Sequence, residues 1–144
     1  METLFRKFLG GLFNSNLAEH LSGWDEATGD YTKANLFSLT GIIALIIAVT
    51  LCVAFYYIIN HPRFNRWWNW FTVLITVAVI NFGIGFGITL SDVLNENISS
   101  DIWSISWIDC LGFGLANLIM ASLIFIICSF IIKWGSRNAK YSPF

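Results

Sequence analysis

Charge is what this sequence has least of. Of its 144 residues only 12% are charged, against about 25% in an ordinary soluble domain. A soluble globular fold is thereby excluded, and the 56% hydrophobic content and mean hydropathy of +0.68 point to an integral membrane protein. Positive charge is scarcer still as a cluster. The formal net charge is -1, and nucleic-acid binding relies on grouped lysines and arginines, so no nucleic-acid partner is expected.

Cysteine is sparse, and Cys52, Cys110 and Cys128 lie in or beside apolar segments at spacings that match no metal motif. They read as small buried packing residues. The first two dozen residues lack the basic start and uninterrupted apolar core of a cleaved signal peptide, because Arg6, Lys7, Asn14, Asn16, Glu19 and His20 are interleaved with apolar residues. The N-terminus is therefore expected to be retained. Glu2 stands where myristoylation needs glycine, and the tail Tyr141-Ser142-Pro143-Phe144 has no cysteine for prenylation.

Reactive groups inside the apolar runs are also missing. Membrane enzymes and ion-coupled transporters hold ionisable side chains within their spans, whereas the mid-span polar groups here are Asn81 and Asn117. An amide does no acid or base work at neutral pH. His61 has no companion ligand, and Gly83-x-Gly85-x-Gly87 lacks the Lys and Ser/Thr of a phosphate loop. No catalysis, cofactor or metal is expected. Three spans also offer no inverted-repeat pair of the transporter kind.

What is present is three long apolar runs, about Leu36 to Ile59, Phe71 to Leu90 and Trp107 to Ile132. Each meets the roughly 20 residues that cross a hydrocarbon core of about 30 Å. The expected fold is all-α, with residues 36–132 forming a three-helix transmembrane domain. Residues 1–35 precede it as an amphipathic helix and acidic linker, and residues 133–144 follow as a basic tail. Leu4, Phe5, Phe8, Leu9, Leu12 and Phe13 make the apolar stripe of the first helix, which Leu17, Leu21 and Trp24 extend past a break at Asn14-Ser15-Asn16. Too short to span, that helix lies in the headgroup plane or packs against the bundle. It serves as an anchor or as a plug or lid. The run Ser22 to Asn35 reads as a solvated linker or short helical turn.

Small residues at helical spacing give each span a packing seam. The first has Gly41, Ala44, Ala48, Cys52 and Tyr56, leaving Ile42, Ile43, Leu45, Ile46, Ile47 and Val49 for lipid. In the second, Ala78, Asn81, Gly85 and Thr89 share one face, with Thr76, Gly83 and Gly87 on nearly the opposite one. In the third, Cys110, Gly114, Asn117, Ala121 and Cys128 line up, with Gly112 nearby. Two small faces on the second span suggest that it is the middle helix, with one face met within the chain and the other turned to a second copy or a pore. Asp109 sits where a carboxylate favours a helix N-terminus.

The connector Asn60 to Trp70 holds Pro62, which ends the first helix. Arg63 and Arg66 beside Trp67, Trp68 and Trp70 form an interfacial anchor. The second connector, Ser91 to Ser106, carries Asp92, Glu96 and Asp101 and no basic residue, and its Asn97-Ile98-Ser99 is a weak glycosylation sequon. The N-terminal side of the membrane offers only Lys33 near a span, the other side Arg63, Arg66, Lys133, Arg137 and Lys140. By the positive-inside rule the C-terminus is cytoplasmic and the N-terminus outside, in an inner or plasma membrane. Asp92, Glu96, Asp101 and Asp109 then form an outer acidic rim that would concentrate cations.

Two functions fit. In the first, copies associate into a pore or ion channel, with Asn81, Gly85, Thr89, Asn117, Gly83, Gly87 and Gly114 lining the pathway or packing the helices. Three short-looped spans with an outside N-terminus and a basic tail resemble the layout of phage holins and of small membrane effectors of phage defence. That likeness is one of topology and involves no shared motif. In the second, the chain is a non-catalytic assembly subunit whose seams bind other membrane proteins, and whose tail or amphipathic helix docks a soluble one. Interhelical asparagine bonds worth about 0.6 to 2 kcal/mol serve either. The expected partners are the bilayer, further copies of the chain, and another membrane or cytosolic protein.

Overall fold

The computed structural model describes residues 11–25, 28–58, 67–94 and 105–134. It is all-α in its main architecture, a bundle of three apolar helices with a short helix and a two-stranded hairpin at one end. Helix α1 spans Ser15–Leu21. Strands β1 (Trp24–Asp25) and β2 (Asp30–Tyr31) pair antiparallel. Helix α2 covers Leu36–Val53 and ends in a π-helical turn, Ala54–Ile58. Helices α3 (Trp67–Leu94) and α4 (Trp107–Lys133) complete the bundle. All three long helices have the length and apolarity to cross a membrane.

Helix starts follow local chemistry. The first backbone N–H groups of a helix have no partner within it, so a side-chain oxygen just upstream completes them. Asn14 does this for α1 by accepting from the N–H of Asn16, and Asn35 for α2 by accepting from that of Ser38 at 2.9 Å. At α4 a full capping box forms, in which Ser106 accepts from the helix while Asp109 Oδ2 accepts from the Ser106 N–H at 2.8 Å. Asp109 thus occupies the helix-terminal position expected of it. Its Oδ1 also accepts from the N–H of Asn14 at 3.0 Å, joining the N-terminal segment to α4. Ser106→Ala is expected to cost about 1 kcal/mol and Asp109→Ala more, because the latter loses both contacts. Equal midpoints for the two variants in a denaturant titration in micelles would argue against the second role of Asp109.

The first seam is buried as its spacing implied. Gly41, Ala44, Ala48, Cys52 and Tyr56 all face inward, while Ile42, Leu45 and Ile46 are exposed. The middle position belongs to a different helix than expected. It is α4, not α3, that packs extensively against both others, and α2 and α3 touch each other far less. Gly114 and Asn117 of α4 meet α3 closely, and further along the same helix Ala121 and Phe125 join the apolar cluster built on Ala44, Ala48 and Cys52 of α2.

Helix α3 begins four residues before the expected boundary, so the tryptophan-rich connector is partly helix. Trp70, expected as an interface anchor, is instead a core residue only 2% exposed. Its indole N–H donates to Ser129 Oγ at 3.2 Å, and the Cys52 thiol lies 3.6 Å from the same hydroxyl. One serine on α4 therefore joins all three long helices. Trp68 is 62% exposed, as an anchor requires. Arg63 and Arg66 lie outside the described residues, as does the side chain of Trp67.

Of the two placements considered for the N-terminal segment, residues from Phe13 onward pack against the bundle. Phe13, Leu17, Ala18 and Leu21 join Phe37, Phe113, Ala116 and Met120 in one buried cluster. The Phe13, Phe37 and Phe113 rings meet with centroids 5.6 to 6.1 Å apart. Gly112 is what lets the chain pass, because a Cβ there would run into the carbonyl of Leu12. The apolar stripe from Leu4 to Leu9 lies outside the described residues. The segment expected as a solvated linker or helical turn forms the β1–β2 hairpin, with Trp24 against Tyr31 edge to face and Gly29 at φ 66° in the turn. Alternation was too short there to be read.

Candidate functional site: a polar seam and its tethered cap

Halfway along α3, Val77, Asn81, Gly85 and Thr89 form one buried face. Asparagine in an apolar helix must find partners, since hydrocarbon offers none. Asn81 Nδ2 donates to the carbonyl of Val77 one turn back, at 2.8 Å. Asn117 Nδ2 reaches across from α4 to the backbone carbonyl of Asn81 at 2.7 Å. This bond carries the only described polar contact between the two helices at that depth. Thr89 donates back to the carbonyls of Gly85 and Phe86, both at 3.0 Å.

The glycines set the closeness of this contact. A Cβ on Gly85 would stand 3.0 Å from Asn117 Cβ and 3.4 Å from the Cα of Gly114. One on Gly114 would stand 3.0 to 3.1 Å from the ring of Phe82 and from Phe86 Cβ. The Phe82 and Phe86 rings stack at 5.9 Å over that position. Asn81, Gly85, Thr89, Asn117 and Gly114 are therefore brought together as a helix-packing seam within one chain. Gly83 and Gly87 are not part of it. They lie on the outward face of α3 with nothing within 4 Å of either added Cβ, alongside exposed Thr72, Thr76 and Ser91.

The seam is incompletely satisfied. Asn81 Oδ1 and Asn117 Oδ1 are fully buried and accept no hydrogen bond among the described residues. A buried acceptor left without a donor costs about 1 to 3 kcal/mol. Turning either amide over gives no relief, because its oxygen would then face the carbonyl oxygen that its nitrogen now serves.

At the end of the bundle where α3 stops and α4 starts, two of the expected rim carboxylates are engaged by the N-terminal segment. His20 Nε2 of α1 lies 3.1 Å from Asp92 Oδ2, in the last turn of α3. Asp109 holds Asn14, as described above. Lys33 is 3.4 Å from Asp25 of the hairpin. An open cavity of about 240 Å³ lies between these parts, lined by His20, Lys33, Ala34, Leu36 and Asp92. Glu96 and Asp101 lie outside the described residues. Sequence reasoning singled out Asp92 and Asp109 for their charge and missed their partners, since His20 and Asn14 are separated from them by 72 and 95 positions.

Chemically the site holds amides, hydroxyls and thiols at membrane depth, and its ionisable groups stand at one end. Among the described residues no group of three His, Cys, Asp or Glu could hold a metal ion. No protein-family model matches the chain, nor does any curated protein or solved structure.

Proposed function

We propose that the protein assembles with copies of itself into a membrane pore, a holin-like or phage-defence-type effector, through the outward face of α3. The observation that carries this reading is the stripe of Thr72, Thr76, Gly83, Gly87 and Ser91. It is left exposed by the fold, interleaved with the exposed Ile75, Val79 and Ile80, while large aliphatic side chains cover the outward faces of α2 and α4. Two bare glycines at i and i+4 in an apolar helix allow close approach of another backbone. Since Asn81, Gly85 and Thr89 are spent on α4, the stripe replaces them as the surface for copies or for the pathway. The charge distribution supports a cell-membrane location with α1 and the hairpin outside and the C-terminus in the cytoplasm.

A second reading has its own support. The hydroxyls of Thr72 and Thr76 already donate to the carbonyls of Trp68 and Thr72, at 3.0 and 2.8 Å. Such a stripe needs no water, and would suit a dry contact with a different membrane protein in an assembly complex.

Native mass measurement in mild detergent, paired with ion and dye flux from liposomes, separates the two. Under the pore reading the wild type forms a discrete homo-oligomer and releases dye, and Gly83→Leu or Gly87→Leu loses both properties while keeping its helix content. Stable homo-oligomers without flux, or a chain stable only with a second gene product, would favour the assembly role.

A further inference from the structure

We propose that the cavity between α1, the start of α2 and the last turn of α3 binds the headgroup of a phosphatidylethanolamine, with Lys33 on its phosphate and Asp92 on its ammonium. The inference rests on the three long helices crossing a bilayer and is independent of the pore reading. The cavity is open, measures about 240 Å³ and is lined by His20, Lys33, Ala34, Leu36 and Asp92. One molecule seated there meets a cation, an anion and two apolar side chains at once.

Its depth matches the headgroup layer. The apolar span of α2 runs Leu36–Tyr57, 22 residues, or about 33 Å at 1.5 Å per residue, close to the roughly 30 Å of hydrocarbon. Leu36 therefore marks the edge of that hydrocarbon. The contacts of Ser129 with Cys52 and of Phe113 with Phe37 set Leu36 level with Gly112 on α4. Those of Ser129 with Trp70, Asn117 with Asn81 and Gly114 with Gly85 set Asp92 level with Trp107. The two levels lie about 8 Å apart along α4, and the headgroup region on each side of a bilayer is roughly 5 to 8 Å thick. The cavity thus spans that layer, from an apolar floor at Leu36 to a carboxylate at its outer edge.

The charges select the headgroup. Lys33 stands beside the start of α2, whose dipole adds positive potential, and Asp92 lies in the last turn of α3, where the dipole is negative. A lone anion would face Asp92 and a lone cation Lys33, whereas a zwitterion carrying a phosphate and an ammonium matches both. Each residue has bonding capacity left. His20 engages Oδ2 of Asp92, and a carboxylate accepts through both oxygens. The Lys33–Asp25 pair, 3.4 Å long, is exposed, so it is weak, and an ammonium carries three donors. A primary ammonium donates to Asp92 through N–H bonds that the quaternary ammonium of phosphatidylcholine lacks, and phosphatidylglycerol offers no cation. Ala34 and Leu36 suit the glycerol and first acyl carbons.

The test places the full chain in nanodiscs holding equal parts of phosphatidylethanolamine, phosphatidylcholine and phosphatidylglycerol with matched acyl chains, and native mass spectrometry identifies the lipid retained. The wild type is expected to keep one phosphatidylethanolamine in preference to the other two. Asp92→Asn should lower its preference over phosphatidylcholine about tenfold, the fold-change of one charge-assisted hydrogen bond, and Lys33→Gln should weaken its retention. Should Asp92→Asn release α1, the wild type labelled with ¹⁵N-lysine decides, through dipolar transfer between lipid ³¹P and one lysine Nζ whose signal is lost in Lys33→Gln. Retention of the three lipids in equal amounts, a preference that survives both substitutions, or no transfer at the Lys33 signal would overturn the proposal. A preference for phosphatidylglycerol would assign the cavity to an anionic lipid instead. Soluble phosphoethanolamine that displaces a short-chain phosphatidylethanolamine at equal concentration would assign it to a free ligand, which also overturns the lipid assignment.

Discussion

Gly114→Leu is expected to separate α3 from α4 and to cost about 3 kcal/mol or more. Overpacking a tight contact typically costs about 1 to 3 kcal/mol when neighbours can shift. At Gly114 the neighbours are the Phe82 ring and Phe86 Cβ, already within 3.1 Å of a single added carbon. Leucine adds three more carbons at a place where the stacked rings are held by their own packing. The helices would have to part, and the Asn117 to Asn81 bond, 2.7 Å long and one turn away, would go with them. Thr50→Leu is the control, at a position exposed on the outward side of α2 and away from the α3 stripe. Unfolding by sodium dodecyl sulfate in mixed micelles, followed by tryptophan fluorescence, reads the difference. A Gly114→Leu midpoint equal to that of Thr50→Leu would mean that the α3–α4 contact is looser than described.

Leu17→Ala is expected to release the N-terminal segment while leaving the three long helices in place. Leu17 is 0% exposed among Phe13, Leu21, Phe37, Phe113 and Met120, and removing a buried leucine's outer carbons costs about 2 to 5 kcal/mol. Among the described residues the remaining ties of α1 are few. They are the Asn14 to Asp109 bond, the His20–Asp92 contact and the buried neighbours Phe13, Ala18 and Leu21. Local opening of a seven-residue helix then becomes easier than disruption of the bundle. Hydrogen exchange should show the amides of α1 losing protection with those of α2 and α4 unchanged, and Leu12→Ala, at a side chain 41% exposed, leaving both alone. If α1 keeps its protection in Leu17→Ala, the polar ties and not the apolar face hold the cap. The result bears on function, because a cap that opens independently is what a plug or lid requires and a fixed anchor does not.

Which features could be read in advance follows from their dimensionality. A span is a one-dimensional property, the length of an apolar run measured against the thickness of hydrocarbon, so three helices were legible with errors of a few residues at their ends. A seam is a property of one helix and its period, so Gly41, Ala44, Ala48 and Cys52 were legible as an inward face. The capping role of Asp109 was legible for the same reason, being set by its immediate neighbours.

What only the tertiary structure decided is who meets whom. The period of α3 placed Asn81, Gly85 and Thr89 on one face and Gly83 and Gly87 on another. It could not tell that the first would be closed by Gly114 and Asn117 and the second left open, because that depends on the depth and rotation of a helix 36 residues away. Trp70 looked like an interface anchor until Ser129 supplied an acceptor at its level. The central position passed to α4, whose Gly114 and Asn117 meet α3 while Ala121 and Phe125 pack with the Ala44, Ala48 and Cys52 seam of α2. Composition by itself determined a three-span membrane protein. The pairing of its polar groups, and with it the buried seam, the tethered cap and the open face of α3, arises from distances between segments that no local pattern encodes.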